Sequence, residues 1–255
     1  MKDVGRDIQL ASSKSEEDLR VIAHHPSSEV LSTLLKNKSL TEDIALIIAN
    51  RKNVSPEILE SLFNDIRWKV SYRIMLALCN NPKTPQKISL SLIKSLKIFD
   101  LADLTRNQFI PINVKIKAEA EIIKKIPSIP LGIKTALAKR AGGGVLMRLI
   151  EDGKKEVVVV CLDSPYMTES EIYKIISKKT VSPQVIWQIA DHSKWSCRYQ
   201  IQWALILNTH TPLPRVMDFL QNIKTSDLRE LYEAPEVPSS TKPFIHSELL
   251  ERDRS

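Results

Sequence analysis

The sequence predicts an all-α protein, a right-handed α-solenoid of short helix pairs that is duplicated internally. Three observations support this prediction. Residues 28–123 align without a gap with residues 155–250 at a constant offset of 127, and about a quarter of the aligned residues are identical. Prolines that open new segments recur every 26–30 residues, and the apolar residues between them follow a helical period. Self-similarity of this kind is typical of repeat proteins, in which each unit buries its apolar face against the next.

The duplication divides the chain into a first half, residues 1–127, and a second half, residues 128–255. Aromatic residues agree in the two copies, since Trp68 aligns with Trp195 and Tyr72 with Tyr199. We expect about four helical repeats in each half, eight or nine short helices, and one continuous superhelix.

Hydroxyl–proline pairs predict where several helices begin. They are Ser55-Pro56, Thr84-Pro85, Ser182-Pro183 and Thr211-Pro212. A hydroxyl at the N-cap accepts a hydrogen bond from an amide of the first turn, and proline in that turn has no amide to satisfy. Thr168 and Glu171 have the spacing of a capping box, which marks a further helix start.

Two segments need separate arguments. Glu156–Leu162 is rich in valine, which favours a strand, but it aligns with Glu29–Leu35, whose leucines favour a helix. We therefore predict a helix for both copies. Ile66–Cys79 is predicted as one helix with two apolar stripes, one containing Ile66 and Val70 and the other Trp68 and Tyr72, as in a helix that is covered on two sides.

Composition indicates a cytoplasmic protein with no membrane partner. The 255 residues carry a net charge of +7, and no apolar run approaches the ~20 residues of a membrane span. The N-terminus has acidic residues and no apolar core, unlike a signal peptide. The three scattered cysteines, Cys79, Cys161 and Cys197, are typical of a reducing compartment.

One turn resembles a known family. Leu78–Pro85, with its copy Leu205–Pro212, is similar to the L-x-x-N-P-x-T-P turn of bacterial HEAT-like and leucine-rich-variant repeat proteins. The resemblance implies a HEAT- or armadillo-like solenoid whose relatives mostly act as binding scaffolds. Leucine-rich-variant proteins can carry an amino-terminal cysteine cluster for an iron–sulfur centre. This chain has no cysteine before Cys79, so no cofactor is expected.

Candidate partner-binding residues are of two kinds. The first kind is aromatic: Trp68, Trp195 and Trp203 could form a platform for a base or a peptide side chain, although core packing is the favoured interpretation of Trp68 and Trp195. The second kind is basic: Lys139, Arg140 and Arg148 lie in the densest basic segment and could meet phosphates or an acidic partner, or form a solvated face. No catalytic, metal-binding or cofactor-binding set is predicted, and Gly142–Gly144 is interpreted as a break between helices.

Two functions remain open at this point. The favoured one is a non-enzymatic scaffold that binds a protein or peptide on the concave face of the solenoid. The alternative is a basic HEAT-like protein that binds nucleic acid, and the resemblance extends to alkylpurine DNA glycosylases in basicity and in the four tryptophans, including Trp187. No acidic residue can be placed beside these tryptophans, so no catalytic residue is carried over. The sequence does not indicate an oligomeric state.

Overall fold

The protein is all-α, as predicted. The computed structural model describes residues 4–254, in which there are nineteen α-helices and no strand. The acidic start of the chain, which argued against a signal peptide, lies partly outside the described residues. None of the helices in the described range is long and apolar enough to cross a membrane.

The chain forms two compact units, residues 1–124 and residues 125–255. The helices that begin in the first unit are α1 (Val4–Ala11), α2 (Glu16–Ile22), α3 (Ser28–Lys36), α4 (Glu42–Asn50), α5 (Pro56–Asn64), α6 (Tyr72–Asn80), α7 (Gln86–Leu92), α8 (Ile98–Arg106) and α9 (Ile112–Lys125). Those of the second unit are α10 (Leu131–Ala138), α11 (Gly143–Glu151), α12 (Lys155–Asp163), α13 (Glu169–Ile176), α14 (Pro183–Asp191), α15 (Ser193–Ser196), α16 (Tyr199–Leu207), α17 (Leu213–Asn222), α18 (Thr225–Glu233) and α19 (Lys242–Arg252).

Helices pack in a local, repeating pattern within each unit. In the first unit α1 contacts α3, α3 contacts α5, α4 contacts α6 and α6 contacts α8. In the second unit α10 contacts α12, α12 contacts α14 and α17 contacts α19. Each short helix therefore buries its apolar face against its neighbours along the chain, as in helical repeats. The valine-rich segment lies in α12, so the helical prediction for it is confirmed.

Asparagines at helix ends join neighbouring helices. The last carbonyls of a helix have no partner inside that helix. Asn81, at the end of α6, donates to the carbonyls of Ala49 and Arg51 at the end of α4, at 2.6 and 2.8 Å. Its copy Asn208 donates to the carbonyl of Ile176 at 2.7 Å. Similar bonds to helix-end carbonyls come from Asn37, Arg51, Arg67 and Arg252.

A tyrosine makes the same contacts in both units. The Tyr72 hydroxyl donates to Asp100 and accepts from the backbone amide of Lys97, which fixes the start of α8. Tyr199 does the same with Asp227 and the amide of Lys224. Burial and then the bond to Asp100 raise the pKa of Tyr72 to about 12. The Tyr and Asp residues shared by the two copies are thus explained by one structural contact.

The prediction of a single helix over Ile66–Cys79 is wrong. Residues 66–71 form a turn, and α6 begins only at Tyr72, after Ser71, whose hydroxyl accepts from the amide of Ile74. The Asp65 carboxylate accepts from the Arg67 amide at 3.0 Å, which favours a turn over a helix at this point. Ile66 and Val70 are consequently 83% and 87% exposed instead of forming an apolar stripe.

The prediction of capping hydroxyls is only partly correct. Thr168 and Glu171 form the expected capping box at the start of α13. Ser55 and Ser182 stand at the N-caps before their prolines but make no side-chain capping bond. Thr84 lies outside its helix, because its amide closes a turn by donating to the Asn81 carbonyl, Pro85 is the N-cap and α7 begins at Gln86. Thr211 is displaced in the same way, since Pro212 is the N-cap of α17.

The two displaced threonines differ in a way that mutation can test. The Thr84 hydroxyl is buried without a protein partner, whereas that of Thr211 donates to the Leu205 carbonyl at 2.6 Å. We expect Thr84→Val to leave stability unchanged or raise it by up to ~1 kcal/mol, because a buried unpaired hydroxyl is removed. Thr211→Val should cost about 1 kcal/mol, because a hydrogen bond is lost. Urea unfolding of both variants measures the difference, and equal effects would contradict this account of the hydroxyls.

Candidate partner-binding grooves

Each unit carries a groove on the same pair of helices. In the first unit the groove lies between α3 and α5, and in the second it lies between α12 and α14. The helices correspond at the offset of 127, since α3 and α12 span equivalent residues, as do α5 and α14. The two grooves have volumes of about 710 and 550 Å³. They differ mainly in the chemistry of their side chains.

The groove of the second unit presents an exposed aromatic ring. Trp187 is 54% exposed, and its indole N–H donates to the His210 carbonyl at 3.0 Å, which fixes the ring in place. Val159, on the facing helix, is 43% exposed. Lys155 lines the same groove and is exposed. The result is an ordered apolar surface with a cation beside it.

Other polar groups of this groove pair with one another. The His192 ring lies 3.1 Å from an Asp163 oxygen, and Asp191 accepts from Arg215 at 2.7 Å. The Gln188 amide donates to the Lys155 carbonyl at 3.0 Å. Asp163 and Asp191 are therefore paired with other residues. Lys155 has no acidic partner among the described residues.

The groove of the first unit is more polar and more basic. Lys36 and Lys38 line it and are exposed, and neither has an acidic partner within the described part of the chain. Asp65 and Arg67 also line it but form an ion pair at 2.6 Å. Hydrogen bonding from Arg67 lowers the pKa of Asp65, so this pair stays charged and contributes little net charge. Ile66 adds an exposed apolar side chain at the edge.

Two of the predicted tryptophans are covered by protein. Trp68 is 9% exposed and Trp195 is 2% exposed. Cations lie over both rings, with the Lys194 ammonium 4.3 Å from the Trp195 ring centre and the Arg67 guanidinium 5.1 Å from that of Trp68. A base that stacks needs an open ring face, so the burial favours core packing for this pair. Trp203 is half-buried in α16.

The predicted basic residues lie at the ends of two neighbouring helices. Lys139 and Arg140 follow α10, Arg148 belongs to α11, and all three are exposed. Arg148 is 3.2 Å from Glu151, which also pairs with Lys178. Lys134 from the same basic segment is buried and bonded to Asp152 at 2.7 Å. Part of the positive charge of this segment is thus neutralised internally.

Two of the three cysteines, Cys79 and Cys161, are buried, whereas Cys197 is exposed. Burial raises the pKa of the Cys79 and Cys161 thiols to about 12, which disfavours the reactive thiolate. Residues 4–254 contain no cluster of three or more side chains suited to hold a metal ion. Gly142 is the N-cap of α11, so the predicted break between helices includes Gly142, whereas Gly143 and Gly144 belong to the first turn of α11. A Cβ atom at Gly143 would lie 1.6 Å from Glu171, so a carboxylate packs against this helix start.

Differences in polarity between the two copies of the sequence indicate exposed residues near the grooves, which the overall composition does not reveal. Several exposed apolar residues have a polar counterpart in the other copy. Trp187 aligns with Glu60, Val159 with Ser32, Ile66 with Ser193 and Val21 with Arg148. Exposed positions are free to differ in polarity between the copies, because their side chains need not pack against apolar neighbours. Trp187 is not among the residues predicted to bind a partner, yet its ring is half exposed in a groove.

Comparison of the chain with protein-family models, with curated proteins and with solved structures gave no match.

Proposed function

We propose that the chain is an internally duplicated array of HEAT-like helix pairs, related to the leucine-rich-variant repeats that its turns resemble. Equal helix bounds support this proposal. Five helix pairs begin and end at residues 127 apart, namely α1 and α10, α3 and α12, α5 and α14, α6 and α16, and α8 and α18. The paired contacts of Tyr72 and Tyr199 follow the same offset.

The duplication makes a direct structural prediction. In an experimental structure, residues 155–250 should overlay on residues 28–123 with the same helix order and direction. The largest local difference should fall at α15, because the first unit has only a turn at the equivalent residues 66–69. Helices that run in different directions in the two overlaid segments would refute a structural duplication.

We further propose that the protein is a non-enzymatic scaffold that binds a segment of a partner protein in the groove of the second unit, between α12 and α14. The observation that carries the proposal is Trp187, a half-exposed indole held rigidly by its bond to the His210 carbonyl. Tryptophan is enriched among the residues that dominate binding energy at protein interfaces. A ring that is already ordered loses little entropy on binding, which favours affinity.

Charge complementarity defines the partner more closely. Lys155 lines this groove without an acidic partner in the described residues, and Lys36 and Lys38 line the groove of the first unit in the same way. We therefore expect a segment with acidic residues and with one large apolar side chain that packs against Trp187 and Val159. Complementary charge raises the association rate and selects against basic partners.

The alternative, nucleic-acid binding, is supported by the same lysines and by Lys139 and Lys154, which are also exposed. An exposed indole can stack on a base as well as on a side chain. The two proposals differ in their salt dependence. A nucleic-acid site that contacts several phosphates loses most of its affinity between ~50 and ~200 mM salt.

One experiment separates the two classes of partner. Random peptides displayed on phage are selected on the immobilised full chain, and duplex and single-stranded DNA are titrated at ~50 and ~200 mM salt. We expect selected peptides to combine an aromatic or aliphatic residue with Asp or Glu, and DNA to bind weakly at either salt concentration. Tight DNA binding that collapses with salt and weakens in a Lys139→Ala/Arg140→Ala/Arg148→Ala variant would instead support the alternative.

A further inference from the structure

Three helices of the second unit carry an exposed apolar side chain at the same position. Val159, Trp187 and Met217 are each the fifth residue of their helix, in α12, α14 and α17 respectively. Their side chains are 43%, 54% and 47% exposed. We call these three residues the apolar row. Only the first two line the groove between α12 and α14, so the row extends beyond that groove.

The three helices of the row are neighbours and turn the same side outward. In each of them the fourth, seventh and eighth residues are buried, so the fifth residue lies on a matching exposed side. α12 contacts α14. The ion pair of Asp191 with Arg215, at 2.7 Å, joins α14 to α17, as does the bond from Trp187 to the carbonyl of His210, just before α17. The row therefore crosses three successive helices.

The first unit has no such row. The fifth residues of the equivalent helices α3, α5 and α7 are Ser32, Glu60 and Leu90. The first two are polar, and Leu90 is half-buried. α3 and α5 nevertheless contact each other as α12 and α14 do. Packing of these helices therefore does not require exposed apolar side chains at this position, and the row is specific to the second unit.

Positive charge borders the row at the amino-terminal ends of its helices. Lys155 is the first residue of α12, one turn before the row, and lines the groove. Lys154 and Lys179 precede α12 and α14, and both are exposed. None of these lysines has an acidic partner in the part of the chain that the structure describes. Even with the neighbouring Glu156 they leave an excess of positive charge at this edge, whereas the acidic residues that end α12 and α14 are paired with other side chains.

The spacing of the helices limits the conformation of a segment that contacts the whole row. Helices that pack side by side have axes about 8–10 Å apart. An extended chain rises about 3.1–3.3 Å per residue, so three of its residues cover the distance from one helix to the next. A helical segment that lies along the groove between α12 and α14 would contact those two helices and leave Met217 unused. Contact with all three helices therefore favours an extended segment.

We propose that the second unit binds an extended segment of a partner protein that crosses α12, α14 and α17. One apolar side chain packs between Val159 and Trp187, and a second, three residues along the segment, packs between Trp187 and Met217. Acidic residues of the segment lie on the side of Lys155. The inference rests on the proposed partner binding in the groove, and it adds the conformation, the spacing and the third helix.

The test uses two synthetic peptides of the same composition. In Asp-Glu-Leu-Pro-Glu-Leu-Pro-Asp the leucines are three residues apart, and the prolines oppose a helix. In Asp-Glu-Leu-Leu-Pro-Glu-Pro-Asp the leucines are adjacent. Each peptide is titrated to ~10 mM into the ¹⁵N-labelled full chain, enough to saturate a site of ~1 mM affinity. We expect the indole N–H signal of Trp187, assigned by its loss in Trp187→Phe, to shift and saturate with the first peptide, and the second to bind at least about fivefold more weakly.

Three variants connect binding of the first peptide to the row. Met217→Gln keeps the length of the side chain and should weaken binding about fivefold, because apolar contact area on the third helix is lost. Tyr173→Ala is the matched control: Tyr173 is also the fifth residue of its helix and 45% exposed, but it lies on α13, which packs against α11 and α16. It should leave affinity within about twofold. Lys155→Gln should weaken binding about threefold at ~50 mM salt and less at ~200 mM, as expected for an exposed charge.

The outcomes separate this inference from the proposed function. Full affinity of a folded Met217→Gln variant, or equal affinity of the two peptides, would refute the extended crossing and leave binding in the groove intact. Phage-selected peptides that shift the Trp187 signal but lack apolar residues three positions apart would refute it as well. If neither the synthetic nor the selected peptides shift the Trp187 signal, the proposed function fails together with this inference. Unfolding curves establish that each variant is folded.

Discussion

Replacing Trp195 by alanine is expected to destabilise the protein by about 4 kcal/mol, the largest effect of any single substitution considered. Trp195 is 2% exposed, and it is among the largest fully buried side chains in the described part of the chain. Its removal leaves a cavity, deprives the Leu162 carbonyl of its donor, and frees the Lys194 ammonium that covers the ring. Chemical denaturation followed by circular dichroism measures the change.

Substitution by phenylalanine separates the hydrogen bond from the packing, and Trp68 supplies the matched control. Trp195→Phe should cost roughly 1–2 kcal/mol more than Trp68→Phe, because only Trp195 donates to a backbone carbonyl. Equal losses in the two variants would mean that the indole N–H groups have the same environment, which would contradict this difference in hydrogen bonding.

Replacing Asn81 by alanine is expected to cost about 3 kcal/mol. Asn81 is 5% exposed, and its amide bonds two carbonyls at the end of α4 and accepts from the Lys83 amide at 2.9 Å. Removing the side chain leaves these buried groups without partners, and each unsatisfied group costs about 1–3 kcal/mol. Thermal and urea unfolding both measure the loss.

The copy in the second unit provides the control for Asn81. Asn208 is half-buried and bonds a single carbonyl, that of Ile176. Asn208→Ala should therefore cost roughly half as much as Asn81→Ala, since water can reach part of the vacated site. If Asn81→Ala were harmless, the helix-end hydrogen bonds would not be a main stabiliser of the packing between repeats.

These asparagines also show how far the sequence predicts the fold. The L-x-x-N-P-x-T-P turn predicts a helical repeat, and the structure gives a reason for its asparagine, which satisfies carbonyls at the end of an earlier helix. Helical periodicity and the alignment of the copies sufficed to predict the helices, including α12 with its four valines. Local propensity alone would have favoured a strand there.

Helix boundaries were less predictable because they depend on side-chain contacts. The segment from Ile66 to Ser71 has a helical apolar pattern, but the carboxylate of Asp65 stabilises a turn by accepting from the Arg67 amide. Thr84 precedes proline as an N-cap would, yet the preceding turn moves the helix start to Gln86. The periodicity of apolar residues does not reveal where a nearby side chain competes with the helix for a backbone amide.

The candidate site was the least predictable feature. Trp68, Trp195 and Trp187 look alike in the sequence, but the first two are buried and the third is half exposed, because burial depends on contacts between helices. In the sequence, the exposure of Trp187 is indicated only by the polar residue at the aligned position of the first copy, Glu60. Comparing the two copies position by position is therefore more informative about the surface than the composition of either copy.

The most direct test of the partner-binding proposal is the affinity of a selected peptide for the wild-type chain and for Trp187→Ala, measured by calorimetry. We predict at least a tenfold loss of affinity, as expected for an aromatic residue that dominates an interface. Glu60→Ala, the equivalent change in the first unit, is the matched control and should leave affinity within about twofold, since most contact residues contribute little. Unchanged affinity of a folded Trp187→Ala variant would contradict binding in this groove.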